Sequence, residues 1–351
     1  MLLVTENAAI REIKPRDPYW DIVKGIAILL VILGHAVFAV YGHENSVHEF
    51  IYSFHMPLFM VVAGRFFYST LKRRTTIGII RSKFIQLILP ILVIGLIDFL
   101  FFGSIHFNLK FKPDAPLMEN LMHLYGTWIR TLWFLQALFL CSMTALAADR
   151  LTNNSIWAYL ATIVAVSLLP DWLNSASFKQ MLPCFVFGLF LQKYEWREFF
   201  IKHRRWCTAA SCIAFALLLI PFRYCMYYQE CGGTIFGGPE SPAIMAYWFL
   251  IRTATGIAGS AAMLCVIHLA WERSRGAFVW MRLSGIGLHT LTLYIISYYL
   301  WIAILGLPEG WIERVGGCLP AVILTATLLF AIPYPAAIWV DSLIKKWKKQ
   351  V

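Results

Sequence analysis

Residues 15–38 read PRDPYWDIVKGIAILLVILGHAVF, and residues 54–64 read FHMPLFMVVAG. The first stretch is an apolar run that opens on Asp21 and Lys24 and carries His35 deep inside it. The second opens with a further histidine, His55. An ionisable side chain in a segment of hydrocarbon length costs several kcal/mol, so it marks a cavity or a partner and is a functional-site candidate by default. The chemistry of this chain is expected here.

Working outward, the whole chain has the character of that first run. It has 351 residues, of which 60% are hydrophobic and 14% charged, and a mean hydropathy of +0.67. A soluble domain carries about 25% charged residues. Apolar stretches of about 20 residues, long enough to cross a bilayer, recur throughout. This predicts an all-α, polytopic membrane bundle. Residues 1–20 are polar and form an expected cytoplasmic segment, unlike a cleavable signal peptide. Residues 21–342 form the expected membrane domain and 343–351 a basic tail. Hydropathy and breaker residues place ten spans near 22–42, 50–69, 84–103, 128–147, 155–170, 178–193, 206–224, 243–271, 284–306 and 317–341.

The net charge of +11 would suit nucleic acid, but its distribution argues otherwise. With ten spans, 22 of the 30 Lys and Arg fall on one side. The opposite loops hold Glu44, Glu49, Asp171, Glu230, Glu240, Glu309 and Glu313 with few bases. The positive-inside rule then puts both termini in the cytoplasm. Eight cysteines show no CxxC and no zinc spacing, so no metal site is expected. Cys225 and Cys231 share a predicted outer loop, as a disulfide or as two free thiols.

Helical rise gives each buried polar group a depth. His35 falls about 20 Å from the cytoplasmic end of its span, and His55 about one turn below the outer surface. Asp98, Arg130, Trp133 and Arg252 lie at comparable depth, so His35, His55, Asp98, Arg130 and Arg252 are expected to line one outward-facing cavity. Asp21, Lys24 and His35 share one helical face, which reads either as the wall of a conduit or as an interfacial ion pair below a packed histidine. Lys72–Lys83, including Arg73, Arg81 and Lys83, reads as a phosphate site or as plain positive-inside charge. Trp133 suits a sugar face or core packing. His43, His48, His106, His123 and His203 are expected to be solvated at loops and span ends.

The run RDPYWDIVKGIAILLVILGH with FHMPLFMVVAG resembles the opening of the integral-membrane acyltransferase 3 family, closest to its fucose 4-O-acetylase-like branch. LWFLQALF at 132–139 and HTLTLYIISYY at 289–299 extend the resemblance over nearly the whole chain. It departs from the family pattern at Lys83 and Gln86 before LILP, where one charge is lost and Arg81 is a substitute. It departs again at Arg65, where an aromatic is usual, and at Ser297, near a usual histidine.

The resemblance implies transfer of an acyl group, often acetyl, from cytoplasmic acyl-CoA to a hydroxyl of a glycan. His35 is implied as the catalytic histidine, with Asp21 upstream and His55 beside it. Acetyl-CoA is the implied donor substrate, with no permanently bound cofactor. Lys24, Arg81, Lys83 and Arg73 are the candidate donor contacts, and Arg130, Trp133, Arg252 and Asp98 the candidate acceptor contacts. The expected location is the bacterial cytoplasmic (inner) membrane, with acyl-CoA, a glycan hydroxyl and the lipid bilayer as partners and no nucleic acid. The rival readings are a transporter or flippase for a glycan or lipid-linked sugar, and a scaffold in polysaccharide assembly. No internal repeat of the transporter kind is evident.

Overall fold

In a computed structural model, the described residues are 17–42, 45–101, 116, 118–119, 132–152, 155–169, 175–222, 242–308 and 310–350. Cys225, Cys231, Arg130, His43, His106 and His123 lie outside them. Among the described residues the chain is helical and contains no strand.

Helix α1 (Pro18–Tyr41) starts where Asp17 accepts a hydrogen bond from the Tyr19 amide and Pro18 takes the first position. Proline is suited to that position because its missing N–H would be unpaired there anyway. Gly42, at φ 70°, ends the helix. Helix α2 (Ser46–Arg73) is capped by Asn45, which accepts from the amides of Val47 and His48.

Helix α3 (Thr76–Lys83) passes through a π-turn at Phe84–Ile88 into α4 (Leu89–Phe101). Pro90, with no N–H to give an i−4 carbonyl, follows directly. Then come α5 (Trp133–Thr152), α6 (Ile156–Ser167), α7 (Ser175–Lys193), α8 (Trp196–Lys202), α9 (Arg204–Leu219) and α10 (Pro242–Arg273). The C-terminal part holds α11 (Phe278–Gly287), α12 (Thr290–Leu305), α13 (Trp311–Arg314), α14 (Cys318–Ala331) and α15 (Pro333–Gln350). Helix α15 runs on through the basic tail.

Among the described residues, each of the ten predicted stretches contains helix. By length and apolarity, six stretches among the described residues can cross a membrane: α1, α2, Thr76–Leu96, α5, Ala246–Arg273 and Cys318–Lys346. Helices α11 and α12 make a seventh if taken together, bent by 77°. Hydropathy is continuous over 284–306, so the bend is invisible to it. Its cause is local. Leu288 and His289 form a turn, and Asp341 of α15 accepts hydrogen bonds from His289 Nδ1 at 2.5 Å and Thr292 Oγ1 at 2.6 Å. Those bonds fasten the start of α12.

Two helix pairs touch backbone to backbone. A Cβ on Gly64 of α2 would lie 1.9 Å from the Phe185 carbonyl oxygen of α7. One on Gly188 of α7 would lie 1.9 Å from that of Val61. Likewise, Gly25 of α1 sits against the Leu283 carbonyl and Gly287 of α11 against that of Asp21. Lipid supplies no hydrophobic drive between helices, so such close approach is how membrane helices gain packing energy.

Candidate functional site

Helix α1 turns His35 inward six residues before its end at Tyr41. Helix α2 contributes Ser53, His55 and Pro57, α5 Trp133, α7 Gln180 and Cys184, α10 Arg252, and α12 Tyr294, Tyr298 and Trp301. Together they line one cavity of about 180 Å³. Two prolines shape its wall. Pro57 and Pro183 sit inside α2 and α7, and neither has an N–H to offer the carbonyl one turn earlier, at Ser53 and Lys179. A Cβ on Gly256 of α10 would come within 2.8 Å of the Pro57 ring, so glycine there lets α10 close on the α2 proline.

His35 is 9% exposed. Trp301 lies parallel to its ring, with centroids 4.6 Å apart and planes at 18°. The Trp301 indole N–H also donates to the His35 backbone carbonyl at 3.0 Å. Tyr298 meets the imidazole edge-on at 6.1 Å. His35 Nδ1 has no hydrogen-bond partner among the described residues. On α2, His55 Nδ1 donates to the Ile51 carbonyl at 2.7 Å, which leaves Nε2 of the neutral ring as its acceptor nitrogen.

Gln180 is 2% exposed, and neither its amide oxygen nor its amide nitrogen has a partner among the described residues. An unpaired buried polar group costs about 1–3 kcal/mol. Its neighbour Lys179, by contrast, reaches the Leu169 carbonyl.

His35, His55 and Arg252 meet in one cavity, as their depths led one to expect, and Trp133 joins them in its wall. Arg130 lies outside the described residues, and Asp98 falls on α4, its side chain outside the described set. Asp21, 3% exposed, pairs with Lys24 at 2.7 Å, four turns of α1 and about 21 Å from His35. Arg73 and Arg81 are exposed, and Lys83 Nζ lies 5.5 Å from the Phe67 ring centroid. These basic residues do not line the cavity.

His48 corrects the expectation of a solvated end. It is fully buried, because α2 begins at Ser46 and packs this first turn against Phe38 and Tyr52, with ring centroids at 5.7 and 3.9 Å. Sequence reasoning missed Ser53, Gln180, Tyr294, Tyr298 and Trp301. Gln180 and Ser53 left a signal, as polar residues inside predicted spans.

A second cavity of about 410 Å³ opens where α1 begins, walled by residues that include Tyr19, Trp20, Arg65, Arg204 and His268. The Arg65 guanidinium lies 4.0 Å above the Trp20 ring. Among the described residues there is no group of three or more His, Cys, Asp or Glu able to hold a metal ion.

Residues 17–333 match the family described as acyltransferase domain. Among curated proteins, the chain is similar to nodulation protein NolL of Mesorhizobium japonicum, 29% identical over 202 residues, covering 54% of this chain and 52% of the relative. It is also similar to nodulation protein NolL of Sinorhizobium fredii, 30% identical over 216 residues and covering 57% of each. The chain thus spans about half the length of these relatives. No solved structure matches it significantly. Since the family match runs from the cap of α1 to the start of α15, this integral membrane protein belongs to the acyltransferase 3 family.

Proposed function

We propose that the protein is a membrane O-acyltransferase that moves an acetyl or short acyl group from cytoplasmic acyl-CoA to a hydroxyl of a cell-surface glycan or its precursor. The observation that carries this reading is His35, buried in the wall of a cavity with Nδ1 unpaired among the described residues and with Arg252 and His55 in the same lining.

In this reading, neutral His35 takes the proton of the acceptor hydroxyl as its oxygen attacks the thioester carbonyl carbon. General base catalysis of this kind contributes roughly 10²–10⁴-fold. Arg252 stabilises the tetrahedral oxyanion, where low dielectric strengthens each contact. The C–S bond then breaks, and His35 returns the proton to the departing CoA sulfur. Trp133 supplies an aromatic face for the acceptor, Arg130 and Asp98 are its further contacts in this proposal, and His55 orients it.

Lys24, Arg73, Arg81 and Lys83 meet the donor phosphates at the end of the bundle where α1 begins, with Asp21 holding Lys24. The pantetheine arm runs along α1 from there to His35. The setting is the bacterial cytoplasmic membrane.

The test follows acetyl-labelled acetyl-CoA with purified protein in nanodiscs and a panel of glycan acceptors. Label appears on a glycan with the wild type and is lost with His35→Ala at equal folded protein. Equal transfer by that variant overturns the reading.

A further inference from the structure

Gln180 has no role in the chemistry above, yet it occupies the same cavity wall as His35. Its side chain is 2% exposed, and both amide atoms lack partners among the described residues. Most buried polar side-chain atoms are paired, and those that are not call for an explanation. The surrounding helix offers none. Cys184 Sγ donates to the Gln180 backbone carbonyl, at 3.9 Å, and leaves the amide of the side chain untouched.

A primary amide presents a donor N–H and an acceptor oxygen side by side. The complementary ligand is a pair of neighbouring hydroxyls, one accepting from Nε2 and one donating to Oε1. Carbohydrates carry such pairs, and the cavity's aromatic walls at Trp133, Tyr298 and Trp301 suit the apolar faces of a pyranose ring. Gln180 sits on α7, clasped to α2 through Gly64 and Gly188, so it keeps a fixed position relative to His55.

We propose that Gln180 is the specificity-determining residue for the acceptor, binding a non-reacting vicinal diol of a sugar while the hydroxyl to be acylated faces His35. This rests on the acyltransferase reading but is tested by binding, separately from transfer. The amide determines which sugars enter, and a site built to hydrogen-bond a hydroxyl rejects the analogue lacking it by factors of up to roughly 10⁴–10⁵.

The experiment uses full-length protein in nanodiscs and calorimetric titration with methyl hexopyranosides that carry a vicinal diol, each against its monodeoxy analogues. The wild type and His35→Ala are expected to bind at least one diol sugar roughly 100-fold tighter than a deoxy analogue, a conservative part of that range. Gln180→Leu is expected to bring the ratio to within about threefold, a residue of apolar contact only. Gln180→Glu keeps the shape and the acceptor but loses the donor, and serves if the leucine variant folds poorly. It is expected to lose most of the discrimination.

An unchanged ratio in the folded variants overturns the proposal, as does a panel with no diol-dependent binding. A drop in kcat of Gln180→Leu that is equal for diol and deoxy acceptors also overturns it, and would assign the amide to the oxyanion instead. Diol-selective binding without acetyl transfer would sustain Gln180's role while removing the acyltransferase reading.

Discussion

Trp301 holds His35 at two points: its ring covers the imidazole at 4.6 Å, and its N–H bonds the carbonyl oxygen of the same residue at 3.0 Å. One contact sets the plane of the imidazole and the other the height of the backbone that carries it. A catalytic side chain must be held to within about half an ångström by its supports, and Trp301 supplies that support from α12.

Trp301→Phe keeps a ring against the imidazole and loses the hydrogen bond. Turnover should fall roughly fivefold, the equivalent of one bond of ~1 kcal/mol. Trp301→Ala also frees the ring, and kcat should fall on the order of 10²-fold, as for a displacement of about 1 Å, with KM for acetyl-CoA unchanged. Steady-state CoA release measures both. Equal kcat in all three proteins would remove Trp301 from any positioning role.

Gly64→Ala and Gly188→Ala each force a methyl against a carbonyl oxygen of the facing helix. Each should destabilise the bundle by about 1–3 kcal/mol, the range for overpacking. Gly276→Ala, where a Cβ meets nothing within 4 Å, should stay within about 0.5 kcal/mol of the wild type. Thermal unfolding in detergent ranks the three, and a Gly276 variant as unstable as the others would contradict the clasp.

Asp341→Ala strips the acceptor from both His289 and Thr292 at the bend. A loss of roughly 1.5–3 kcal/mol is expected, as for hydrogen bonds to a charged group. Transfer should fall with it, because α12 carries Trp301 to His35. Asp341→Asn retains an oxygen for Thr292 and should lose less. The melting temperatures and the rates must therefore fall in the same order.

Arg81→Ala combined with Lys83→Ala should raise KM for acetyl-CoA about tenfold, equivalent to ~1.4 kcal/mol, while kcat holds. Donor titration at saturating acceptor measures it. An unchanged KM would move donor recognition to the second cavity beside Arg65 and Arg204.

The sequence made the helices and the depth of their charges readable, since both follow from one-dimensional quantities: hydropathy and the rise per residue. That is why His35, His55 and Arg252 could be grouped before their helices were known to be neighbours. Tyr298 and Trp301 were illegible because aromatics are ordinary in membrane helices, and their meaning depends on which helix they face. Gln180 was overlooked because it carries no charge and does not titrate, and only ionisable groups and one tryptophan were placed by depth. His48 was misread because depth says nothing about a covering ring. The α11–α12 bend depends on Asp341, about fifty residues further on, a contact that no local pattern encodes.

The two glycine clasps carry His35 on one prefabricated part of the cavity and His55 with Gln180 on another. His35 rides on α1, which is locked to α11, while His55 and Gln180 ride on α2 and α7, locked to each other. Register within each part is dictated by glycines set against peptide oxygens, so it depends on those few positions and not on the side chains around them. Divergent members of this architecture are thus free to replace lipid-facing residues wholesale. Changing the distance between the two parts instead requires altering how α1 lies on α2, and that seam is where a cavity of this kind would be widened for a larger acyl group or a different sugar.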